Sequence, residues 1–168
     1  LDVGDYRNGL RTLRQAATHF RDNEKAPEVT EQMTDAFSRL YLDDAADSLP
    51  PVTAIALYDE FKELTPPGEL GDEMIRKLAD RLAAVDLLDR AAGLLKAQID
   101  YRLQGLEKAR VGARLALLNI LNLDYDQAIE NLEKSGMEGM PDDLDLQRRH
   151  LKARALMGLQ QTDEALAL

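Results

Sequence analysis

Apolar residues recur along this chain at the three- and four-residue spacing of a helix face, and nowhere at the alternation of a half-buried strand. Tyr6, Leu10, Leu13, Ala17 and Phe20 predict a helix over residues 5–20. Val29, Met33, Phe37, Leu40 and Tyr41 predict a second, opened by Pro27 in its first turn. Ile55, Tyr58 and Phe61 mark a third, between Pro50-Pro51 and the stop at Pro66-Pro67-Gly68. Ile75, Leu78 and Leu82 fall in a fourth over 72–84, and Asp86 is an expected N-cap for a fifth running to about Leu103. Gly105 separates that helix from one over 106–122. Asp124 caps the next to about Ser135, Asp142 or Asp143 caps another over 144–158, and Thr162 opens the last. Connections this short make successive helices antiparallel neighbours, so the expected class is all-α with roughly nine helices.

A longer period overlies the helical one. Ala91, Ala128 and Ala165 lie 37 residues apart, each two residues after an aspartate (Asp89, Asp126, Asp163). Ala79, Ala116 and Ala153 precede them by 12 residues each. Each unit then has two helices, A and B, with one small residue on each. Antiparallel helices approach closely only where side chains are small, so the paired alanines fix a crossing point. Leu78, Leu82 and Leu95, then Leu115 and Leu132, fill the groove around it. A fixed period of this length marks a helical repeat array, and such arrays are usually binding surfaces.

The pairing of Leu78-Ala79 with Ala91 and Leu95, and of Leu115-Ala116 with Ala128 and Leu132, resembles the tetratricopeptide repeat. Ala153, Leu156 and Ala165 continue it. Ala54, Tyr58 and Pro66 match a preceding helix B, and Gly9 with Leu13 looks like a still earlier one. The period here is 37 residues, against about 34 in that family. The resemblance implies a right-handed α-solenoid of antiparallel helix pairs, a TPR-like superhelix. It would be one repeat domain over 1–168, divergent in 1–71 and clearer in 72–168, excised from a longer protein. The family's groove positions, carried across, are Glu73, Arg76, Asp80 and Ala83 in one unit. The next unit gives Arg110, Ala113, Arg114, Leu117 and Ile120, and the third gives Gln147, His150, Arg154 and Met157. Its lysine–asparagine carboxylate clamp is not reproduced, since Asp80 stands where a clamp asparagine would be.

Charge narrows what such a surface would bind. The net charge is −10, which argues against a nucleic-acid partner. Residues 1–72 carry 15 acidic against 7 basic side chains, while the remainder carries 16 against 14. A basic strip of Arg110, Arg114, His150 and Arg154, with Arg76 a further partner-binding candidate, therefore has a milder background in the second half. Guanidinium groups pair bidentately with carboxylates, so an acidic peptide or a chain terminus is the expected partner, with Leu117, Ile120 and Met157 for apolar contact. The alternative for the same arginines is a solvated face making pairs along its own helix.

Other chemistry is thin. The absence of cysteine excludes disulfides, thiolate metal sites and cysteine nucleophiles. His19 and His150 have no ligand company at helical spacing, and His19 reads as a structural or surface residue. The pairs Asp43/Asp44, Asp59/Glu60 and Asp142/Asp143 point apart on a helix, and Asp142, Asp143 and Asp145 lack a calcium loop's glycine and closing glutamate. Gly68 and Gly71 lack the strand and lysine of a phosphate loop. No apolar run approaches a membrane span. The expectation is a non-enzymatic interaction scaffold with no cofactor or metal and a protein or peptide partner. The second expectation is a spacer within a longer solenoid. An enzyme would require Glu73, Asp80, His150 and Arg154 to converge.

Overall fold

A computed structural model describes residues 3–20, 22–43 and 49–168. Among them the chain forms nine α-helices and no strand. They are α1 (Val3–His19), α2 (Ala26–Leu42), α3 (Pro51–Phe61, continued by a 3-10 turn at Lys62–Leu64), α4 (Glu69–Ala84), α5 (Leu88–Tyr101), α6 (Gly105–Leu121), α7 (Tyr125–Lys134), α8 (Asp142–Gly158) and α9 (Thr162–Leu166). Asp44, half of one acidic pair, lies outside the described residues.

The 37-residue period is written into the backbone. Helices α4, α6 and α8 end at Ala84, Leu121 and Gly158, and α5, α7 and α9 begin at Leu88, Tyr125 and Thr162. Between each end and start sits one left-handed residue at the same register position. These are Asp86, Leu123 and Gln160, with φ of 63°, 61° and 64°. Each turn closes the same way. The N–H of Leu87 donates to Leu82 O at 2.9 Å, that of Asp124 to Asn119 O at 2.8 Å, and that of Gln161 to Leu156 O at 2.9 Å. This is the Schellman closure, which satisfies a carbonyl orphaned at the helix end.

These turns correct the expected caps. Asp86 is the left-handed residue of its turn, and Leu87 holds the N-cap position of α5. Asp124 does stand at the N-cap of α7 but makes no side-chain cap bond. Pro141 precedes α8, so Asp142 and Asp143 lie inside its first turn, where carboxylates complement the helix dipole.

The chain divides into two compact units, Leu1–Leu78 and Ala79–Leu168, with the boundary inside α4. In the first, α1 packs on α2. Its core sets a cluster of four rings among aliphatic side chains such as Met33, Leu40, Leu57 and Met74: Phe37 is fully buried, with ring centroids 5.2 Å from Tyr41, 6.3 Å from Tyr58 and 6.4 Å from Phe61. The Tyr41 hydroxyl donates to Ala54 O at 2.8 Å and ties α2 to α3. The Lys77 ammonium donates to Leu42 O at 2.8 Å at the end of α2.

The second unit is helical-repeat-like. Helices α5 to α9 pack on their sequence neighbours, and α6 also packs on α8. Its core is built of small residues and leucines, including Ala109, Ala113, Ala116, Ile120, Ala128, Leu132, Leu144, Leu151 and Ala155. The register alanines Ala79, Ala91, Ala116 and Ala128 are all fully buried. Ala153 and Ala165 are only half-buried, because α9 has five residues and buries none of them. On α8 the fully buried alanine is Ala155, which turns to the core shared with α6 and α7.

Two contacts in this unit carry no repeat signature. Gly112 on α6 faces Ser135 so closely that a Cβ there would lie 1.8 Å from the serine Oγ. Beside it, the buried Arg148 of α8 donates to Ala109 O at 2.5 Å, to Leu132 O, and to Ser135 Oγ at 3.2 Å. One guanidinium thus binds α6, the end of α7 and α8 through oxygen acceptors rather than a carboxylate. Burial pushes its pKa down, and Asp145 opposes that shift.

Candidate functional site

Helix α8 positions the most complete exposed face among the expected groove residues. Its buried residues, Leu144, Arg148, Leu151, Ala155 and Leu156, take one side. Gln147, His150, Arg154 and Met157 emerge on the other, all exposed. Successive steps of three or four residues keep them on one stripe. Leu146 lies on the flank of that stripe and is 64% exposed, close to the 62% of Met157. The sequence reading passed over Leu146, although its spacing of four from His150 is the signal that could have found it.

On α6 the face is Arg110 and Arg114, both exposed, with Leu121 further along. Two expected contacts on this helix sit elsewhere. Ile120 is 6% exposed and belongs to the core with Ala116 and Leu132, so its side chain is not available to a ligand. Leu121 takes the exposed place instead. Leu117 is half-buried against the cluster that contains Leu151. Ala113 is buried. Between Leu115 and Leu121 the polar residue is Asn119, which is itself buried, so polarity within that run misled about which neighbour faced out.

Ion pairing sorts the arginines. Arg114 reaches Asp80 of α4 at 2.5 Å, and Arg110 reaches Glu107 on its own helix at 3.9 Å. Arg149 is held by Asp145 at 2.8 Å, and Lys152 by Glu133 of α7 at 2.9 Å. Among the described residues, His150 and Arg154 make no ion pair. The strip expected from sequence is therefore largely neutralised on α6 and keeps its open charge on α8. Arg76 is half-buried and belongs to the Leu1–Leu78 unit.

Asp80 is engaged by Arg114, and His150 and Arg154 are exposed on α8. Among the described residues no group of three or more His, Asp or Glu is arranged to hold a metal. No helix there is long and apolar enough to cross a membrane. No known protein family, curated protein or solved structure matches the chain.

Proposed function

We propose that the chain is a non-enzymatic interaction module of stacked, TPR-like helix pairs, and that the α8 face takes an acidic peptide segment. One observation carries the reading: the guanidinium of Arg154, which makes no ion pair among the described residues, lies with the His150 ring on the same exposed stripe as two large apolar side chains, Leu146 and Met157. Exposed apolar residues beside open positive charge suit a segment that alternates acidic and apolar residues. Arg110 and Arg114 serve as the outer rim of the same surface, already balanced by Glu107 and Asp80.

The test is a fluorescent peptide alternating Glu and Leu, titrated at low and high salt. Binding should weaken with salt, because exposed charge pairs are screened within about 10 Å at 0.1 M. Arg154→Glu should reduce affinity by roughly tenfold and Arg114→Glu by much less, since reversing a charge that is already paired changes the field less. Binding that ignores both salt and Arg154→Glu would sink the reading. No binding at all, with the fold intact, would favour a spacer that contributes repeat geometry and no ligand of its own.

A further inference from the structure

A second candidate site lies far from the peptide face in sequence, within the Leu1–Leu78 unit. Arg7 and Arg11 of α1 converge on one carboxylate, Glu60 of α3, at 3.0 and 2.5 Å. Arg14 pairs with Glu63 at 3.2 Å, donates to Glu60 O at 3.3 Å and lies 4.3 Å above the Phe61 ring. Three guanidiniums thus meet two carboxylates, leaving one positive charge in excess. Arg11 spends only its Nε hydrogen on Glu60, and its side chain is 54% exposed. Four guanidinium hydrogens remain for something else.

That excess charge borders an open groove of about 870 Å³, lined by Arg11, Arg14, Gln15, His19, Phe20 and the ion-paired Glu60 among others. A second cavity of about 220 Å³ adjoins it, sharing Ala16 and Phe20 and reaching Val29 of α2. Phe20 is 61% exposed and is held edge-on to the His19 ring at 5.3 Å. The two spaces share the walls of Ala16 and Phe20; Arg11, Arg14 and Glu60 line the larger, and the smaller is mostly apolar around Val29, with Asn23 and Lys25 at its edge. The larger has the size of a small-molecule site, and a concave apolar site with a few convergent polar groups is where a ligand binds.

We propose that these two neighbouring spaces bind a small amphipathic carboxylate, its headgroup on Arg11 with His19 alongside and its aliphatic tail over Ala16, Phe20 and Val29. The charge excess selects an anion, and the apolar extension selects one with a tail. Arg14 is already committed to Glu63, Glu60 and Phe61, so it shapes the wall and Arg11 does the recognition.

Octanoate is the probe, titrated into the full chain at low salt and followed by NMR. The proposal expects saturable binding in the millimolar range or tighter, with shifts centred on His19 and Phe20. Arg11→Gln should weaken it by at least about tenfold, the loss of a hydrogen bond to a charged group. Phe20→Ser, at an exposed position that leaves the fold unchanged, should weaken it about fivefold through lost apolar cover. Octanol binding as tightly as octanoate would overturn the role of the charge. Inorganic phosphate binding as tightly would overturn the amphipathic class. Octanoate that fails to saturate, or that binds Phe20→Ser as well as the parent chain, would overturn the site.

Discussion

In residues 1–78 the helices close around Phe37, Tyr41, Tyr58 and Phe61, with ion pairs gathered on Glu60. In residues 79–168 they close on alanines, on Gly112, and on the polar knot of Arg148. The same register runs through both: α3 begins at Pro51, 37 residues before α5, and Ala54 is as fully buried as Ala91 and Ala128. A common helix-B spacing is thus supported by large rings in one unit and by close backbone approach in the other. Rings fill space and tolerate a looser crossing angle, whereas small residues leave the crossing distance no latitude. The three left-handed turns at Asp86, Leu123 and Gln160 all fall in the unit built on small residues.

If the first unit depends on one ring cluster, Phe37→Ala should be the most damaging single change. Removing a fully buried phenylalanine costs about 4 kcal/mol. Hydrogen exchange should show the loss first in residues 1–78. Equal loss of protection across 79–168 would mean that the two units unfold as one. The counterpart in the second unit is Arg148→Ala, expected to cost about 3 kcal/mol by leaving Leu132 O, Ala109 O and Ser135 Oγ short of a buried donor. Urea unfolding measures it. A neutral result would show that water replaces the guanidinium. Gly112→Ala follows at about 2 kcal/mol, since the new methyl meets Ser135 Cβ at 2.4 Å and neither helix can withdraw freely.

Acid should separate the units as well. The hydrogen-bonded Arg11 holds the Glu60 carboxyl below its usual range; burial opposes this, and Arg11, Arg7 and Arg14 add attraction. A folded-state pKa depressed in this way gives stability that is present above the unfolded value, near 4.5, and lost as pH falls through the folded one. Residues 1–78 should therefore loosen below about pH 4.5, and Glu60→Gln should flatten that acid limb while lowering stability at neutral pH. Circular dichroism melts from pH 7 down to pH 3 read both effects. An acid limb unchanged in Glu60→Gln would assign it to other carboxylates.

Much of this contrast was legible in the chain, and the illegible parts share a cause. The helices and the alanine register followed from spacing, because burial of a helix face imposes a period that side chains must obey. The left-handed turn residues did not, because Asp86, Leu123 and Gln160 share a backbone state and no side-chain chemistry. Arg148 could not be told from Arg149 beside it, since only the fold shows which one turns inward. On the candidate face, His150, Arg154 and Met157 stand exposed where register placed them. Leu146 was missed, and Ile120 was assigned outward although its neighbour Leu121 takes that place.

The smallest expected effect tests the repeated turn itself. Leu123 holds a left-handed conformation that costs a residue with a Cβ about 1–2 kcal/mol. Its side chain is 71% exposed, so little packing offsets that cost. Leu123→Gly removes the strain but adds unfolded-state freedom worth roughly 0.5–1 kcal/mol. The balance favours the glycine by about 0.5 kcal/mol, read as a small rise in the urea midpoint. Gln160→Gly should gain less, because the turn it closes leads only into α9, which buries nothing. A destabilised Leu123→Gly would mean that the leucine side chain, rather than the backbone hydrogen bond from Asp124 to Asn119, sets this turn. The regularity of the second unit would then rest on side chains and not on its backbone closures alone.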